Sequence, residues 1–200
     1  MPSENYRAIG ATLCLLAACS ASSALAHTGA DHGGGGFTSG FTHPLLGLDH
    51  IIAMVAVGLW GVFLGAPAIW VLPIVFPLVM ALGGVFGIIE VPLPGVEAGI
   101  ALSAVVLGLC VALALKPPLW AAALVVGAFA IFHGYAHGTE MPIASDAVSY
   151  ALGFVVATGL LHLCGIAFGN LARWPAGRFA VRAAGAFIAI AGGVFLSGIA

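Results

Sequence analysis

Between residues 44 and 199 the chain passes through six apolar stretches, 44–64, 67–89, 97–115, 119–137, 145–169 and 176–199, separated by short loops marked with proline and glycine. Each is close to the ~20 helical residues that cross the hydrocarbon core of a bilayer. In oil every backbone N–H and C=O must find its partner inside the protein, so a chain built this way folds as helices. The sequence therefore predicts an all-α, polytopic membrane helix bundle with six transmembrane helices. Composition agrees, with 62% hydrophobic and 6% charged residues and a mean hydropathy of +1.19, far from a soluble globular domain. The chain has no basic patch and no run of Lys or Arg, so nucleic acid is not an expected partner; the lipid bilayer is.

The first 26 residues have the pattern of a signal peptide: Arg7, an apolar stretch over 8–18, a Ser/Ala region, then Ala24-Leu25-Ala26 as a small-residue cleavage site. A lipoprotein box at Leu16-Ala17-Ala18-Cys19 and an uncleaved first helix are the competing readings, and all three place the next residues outside the cytoplasm. Residues 27–42 follow as a flexible external arm rich in Gly and His. Within it His27, Asp31 and His32 serve either as a solvated tail or as a weak metal-collecting arm. The transmembrane domain spans 43–200. Cys110 and Cys164 fall in separate apolar runs without partner spacing and are expected to be buried free thiols.

Charge orients the bundle. Lys116 lies between the third and fourth stretches, and Arg173, Arg178 and Arg182 lie around the junction of the fifth and sixth. Glu90, Glu97, Glu140 and Asp146 occupy the opposite loops. Basic loops stay in the cytoplasm, so both ends of the mature chain are expected on the periplasmic side of a bacterial inner membrane.

Two polar clusters interrupt this apolar background. His43-Pro44-Leu45-Leu46-Gly47-Leu48-Asp49-His50 opens the first stretch, and Phe132-His133-Gly134-Tyr135-Ala136-His137-Gly138-Thr139-Glu140 closes the fourth. With Pro44 as the first helical residue, His43 stands at the outer mouth and Asp49 and His50 about 8 to 9 Å inside. His43, His50 and Met54 then share one helical face, as do His133, His137 and Glu140. The spacing of Gly134 and Gly138 admits a close helix, for which the first helix is the natural candidate. His162 lies deeper, toward the cytoplasmic end of the fifth stretch, and is as readily an interhelical hydrogen-bonding residue as a ligand.

Ionisable side chains at membrane depth are costly and mark ion pathways. Imidazoles with a few carboxylates suit nickel, copper, zinc or cobalt, whereas magnesium and calcium call for more oxygen. Successive imidazoles from His43 through His50 and His133 to His162 have the order of a relay, with Met54 more simply a packing residue. No phosphate-binding loop is present, so ATP hydrolysis is not expected. A zinc-dependent intramembrane hydrolase and a metal sensor remain alternative classes, although no HExxH occurs.

HPLLGLDHIIAMVAVGLW closely resembles the signature of the HupE/UreJ family of membrane proteins associated with nickel-dependent hydrogenases and ureases. HGYAHGTEMP resembles that family's second motif, and the similarity extends to PLPGVE. The resemblance implies permeation of Ni²⁺ without an ATPase, as a transported ion and not a resident cofactor. It carries His43, Asp49, His50, His133, His137 and Glu140 over as the metal residues; His27, His32, Met54 and His162, read from the residues alone, are secondary candidates. Nickel versus cobalt or a broader divalent range, channel versus carrier, and whether the chain forms a homo-oligomer stay open.

Overall fold

A computed structural model describes residues 36–141 and 146–198, and these form helices and turns with no strand among them. The expected signal peptide and the residues His27, Asp31 and His32 lie outside the described residues. In chain order the helices are α1 (Gly36–Thr42), a 3-10 turn (His43–Leu45), α2 (Leu48–Leu64), α3 (Ala68–Ile88), α4 (Val96–Ala112), α5 (Leu119–Thr139), α6 (Ala147–Gly169), a second 3-10 turn (Asn170–Arg173) and α7 (Pro175–Leu196). Four of them, α3, α5, α6 with its 3-10 extension, and α7, are long and apolar enough to cross a membrane, and the bent pair 36–45 and 48–64 would make a fifth. The helix α4 is apolar but shorter, at 17 residues.

Burial follows helical periodicity rather than polarity, as expected where the outer solvent is lipid. On α3, Ala68, Leu72, Phe76, Met80, Gly83 and Gly87 face inward, while Trp70, Ile74, Leu78 and Leu82 face outward. Lipid is as apolar as leucine, so the drive for helix association comes from close packing, which small residues allow. Three helix pairs dominate: α3 with α5, α4 with α7, and α2 with α6. Each is seamed by glycine. A Cβ on Gly134 would collide with the Met80 carbonyl, one on Gly165 with the Val55 carbonyl, and one on Gly108 with the Ala189 backbone.

Several expectations are corrected. Gly134 and Gly138 do not receive the first helix; they pack on Met80 and Gly84 of α3. Residues 36–42, read as tether, form α1, whose Gly40 rests on the Tyr150 backbone of α6. The first span does not begin at Pro44. Pro44 sits in the 3-10 turn, Gly47 adopts an extended conformation as the N-cap of α2, and the axis turns by 80° between the two pieces. Asp49 and His50 therefore stand in the first turn of α2 and not 8 to 9 Å along a continuous helix, and the shared-face argument for His43 and His50 no longer applies. Cys110 is buried as expected, but Cys164 is exposed.

The two ends of the bundle differ chemically. At one, Trp60 Nε1 donates to the Leu115 carbonyl at 2.9 Å and Arg182 Nε donates to the Ala112 carbonyl at 2.6 Å. These bonds satisfy carbonyls left open where α4 ends, and Arg182 places positive charge at the negative end of the helix dipole. Exposed Trp70, Trp120 and Trp174 sit at the helix termini of this same end, as aromatic side chains do at a membrane interface. Asp49, Glu97 and Glu140 belong to the other end.

Candidate metal site

The first turn of α2 and the last turns of α5 meet at the acidic end, with the 3-10 turn folded over them. The elbow at Leu46–Gly47 brings His43 above His50, so that both meet α5 although the helix between them is broken. Their rings lie 4.7 Å and 4.4 Å from that of His137, centroid to centroid. His50 lies 4.8 Å from His133, ring planes nearly perpendicular. The six residues predicted from the sequence are thus gathered into one contiguous group.

Near the surface, His43, His137 and Glu140 each offer a ligand atom, and these atoms lie within 4.8 Å of one another. His43 Nε2 is 3.0 Å from Glu140 Oε2. Phe154 of α6 packs on His137 at 4.1 Å and Tyr150 lies edge-on to His43 at 6.0 Å.

One layer deeper, the hydrogen bonds fix which ring nitrogens carry protons. The Asp49 carboxylate can only accept, so His50 Nδ1–H donates to Asp49 Oδ1 at 2.9 Å and the lone pair is on Nε2. The Asp49 oxygen also accepts from the His50 backbone N–H at 2.9 Å, capping the positive end of α2. A Cβ at residue 47 would stand 2.8 Å from this oxygen, so glycine leaves room for the carboxylate to turn back. Ser103 of α4 donates its single proton to the Ile100 carbonyl at 2.6 Å. Its oxygen therefore accepts from His133 Nε2–H at 2.9 Å, which leaves the His133 lone pair on Nδ1. Both lone-pair nitrogens, His50 Nε2 and His133 Nδ1, are buried with no hydrogen-bond partner, as are both nitrogens of His137. Buried polar atoms are nearly always satisfied, and unpartnered imidazole nitrogens on adjoining rings of two helices have the chemistry of a cation's ligands.

Three neighbours were not foreseen. Ser103 is the one hydroxyl in its apolar run, which was the available signal. Phe76 of α3 lies between His133 and His162, 5.5 Å and 5.4 Å from their rings. Asp49 and Glu97 also line a common cleft of about 390 Å³ between α2, α4 and the end of α7. Of the secondary residues, Met54 is fully buried in the apolar core with Phe76 and Met80, and His162 is fully buried beyond Phe76, apart from the group at the mouth.

Fold and site together define a class: a multi-pass helical membrane protein that gathers imidazoles and carboxylates at one end of its bundle. Residues 14–195 match the family described as HupE / UreJ protein, and the chain belongs to that family. Protein HupE of Rhizobium leguminosarum bv. viciae is 46% identical to it over 194 residues, which cover 97% of this chain and 100% of that protein. No solved structure matches the chain.

Proposed function

We propose that the protein is a permease that carries a divalent transition metal, nickel in the first place, inward across the cytoplasmic membrane. The ion would serve the maturation of a hydrogenase or urease, the setting that the family resemblance implies. The observation that carries this reading is the set of buried, proton-free imidazole nitrogens on His50 and His133, held in orientation by Asp49 and Ser103. An imidazole must be neutral to bind, and its bond to nickel is reversible where a set of thiolates would hold the ion too tightly for release.

In this reading the six helices cross the membrane with the acidic end outside and the Lys116, Arg173, Arg178 and Arg182 end in the cytoplasm, in accord with the positive-inside pattern. His43, His137 and Glu140 take the ion at the mouth, and His50 with His133 receive it below. Asp49 orients His50 and supplies compensating charge. The membrane potential is worth about 2.3 kcal/mol per elementary charge per 100 mV, hence about 4.6 kcal/mol for a divalent cation, or a concentration ratio of about 2,000. Entry down that gradient requires no nucleotide. Hydrolysis has less to support it, because the sequence holds no HExxH.

Accumulation of ⁶³Ni²⁺ by cells expressing the protein, with unlabelled Co²⁺, Zn²⁺ and Mn²⁺ as competitors, tests the proposal. Uptake well above one ion per protein, suppressed most by Co²⁺, is the expected result. Binding that stops at the stoichiometry of the protein would identify a sensor or an enzyme instead.

A further inference from the structure

Beyond Phe76 the core is apolar except at one place. On α6, Thr158 and His162 are four residues apart and therefore on one face, and both are fully buried. Thr158 Oγ1 and both ring nitrogens of His162 have no hydrogen-bond partner. Fifteen residues separate His162 from the start of α6, which puts it about 22 Å along the helix.

The facing helix brings a backbone oxygen to the same place. Pro73 and Pro77 both lie inside α3. In an α-helix the N–H of residue 77 would bond to the carbonyl of residue 73, and proline has no N–H to give. The Pro73 carbonyl, deprived of that N–H, lies beside the His162 ring. The spacing of the two prolines thus turns a helix carbonyl into an available oxygen donor beside the buried imidazole. Freed backbone carbonyls of interrupted helices coordinate cations in other membrane carriers.

From this juxtaposition we infer that His162, Thr158 and the Pro73 carbonyl form a second cation site, on the inner side of Phe76, through which the ion passes after leaving the mouth. This rests on the permease reading for its place in transit, though not for its existence. The donor set is one imidazole nitrogen, one hydroxyl and one peptide oxygen. It fits a borderline divalent metal, and it would bind more weakly than the mouth because none of its three donors is a carboxylate. Weak binding suits the step before release.

The site can be tested without transport. In the full chain with its four native cysteines replaced by serine or alanine, His162→Cys places a thiol at the proposed ligand position. In detergent, Ni²⁺ or Cd²⁺ should slow its alkylation by a small membrane-permeant maleimide about tenfold or more, and should still do so when His50→Ala is added. Thr158→Cys, with His162 retained, gives the same reading should His162→Cys fail to insert. Alkylation as fast with metal as without it, in whichever variant folds, would overturn the site. In vesicles, His162→Asn should lower maximal ⁶³Ni²⁺ flux about tenfold while half-saturation, set at the mouth, moves less than about twofold; unchanged flux would remove the site from the pathway. If the unsubstituted protein moves no nickel, the permease reading fails, and the alkylation result still decides whether the inner site exists.

Discussion

His50 and His133 at the mouth and His162 beyond Phe76 are all buried, yet only the first two are held by side-chain hydrogen bonds. His50 is fixed by a carboxylate and His133 by a hydroxyl whose proton is already committed. His162 has the Pro73 carbonyl and the Phe76 ring beside it and no carboxylate. The difference teaches what each end is suited to. Oriented neutral rings beside negative charge capture a dilute cation, and a ring without charge beside it lets the cation go.

The strongest way to break this contrast is to remove a ring at the mouth. His50→Ala or His133→Ala should abolish ⁶³Ni²⁺ uptake, and the double variant should be no worse than either, because one site is lost once. Independent, additive losses would mean that the two rings serve separate ions. Next in size is Asp49→Asn, which keeps the shape but loses the charge and should raise half-saturation roughly 10 to 100 fold. Wild-type affinity at normal protein levels would show that orientation alone suffices.

Acid should act on the mouth more gently. Protons and nickel compete for the same imidazole lone pair, so uptake at low nickel should fall as external pH drops from about 7.5 to about 5.5. A rise would point instead to proton-coupled entry and would reassign these rings as proton carriers.

The helices were legible in the sequence because 3.6-residue burial and a bilayer-length apolar run leave few alternatives. The convergence of HPLLGLDH with HGYAHGTE was legible from charge placement and chain direction. Register at the first helix was not. Pro44 suits a first helical position, but it suits a 3-10 turn equally, and Gly47 three residues later lets the chain bend there. The partner of Gly134 and Gly138 was misjudged for a related reason. A small-residue spacing says that some backbone comes close without saying which, and α3 brought Gly84 to meet Gly138. Ser103 was passed over because a lone serine in a membrane helix does not name its partner.

The glycine seams have a mechanical consequence. Apart from the contact of α1 with α6 and the turns joining α2 to α3 and α6 to α7, backbone meets backbone inside the three pairs, so each pair has the build of one stiff stave and compliance is left to the joints between staves, where side chains meet. His50 stands on the stave of α2 and α6, and His133, His137 and Glu140 on that of α3 and α5. The residues of the candidate site therefore straddle a joint. A sliding of one stave past the other by an ångström or so, with no helix bent and no glycine contact opened, would change the distance between His50 and His133 directly. In the proposed permease the grip on the ion would be geared to that joint.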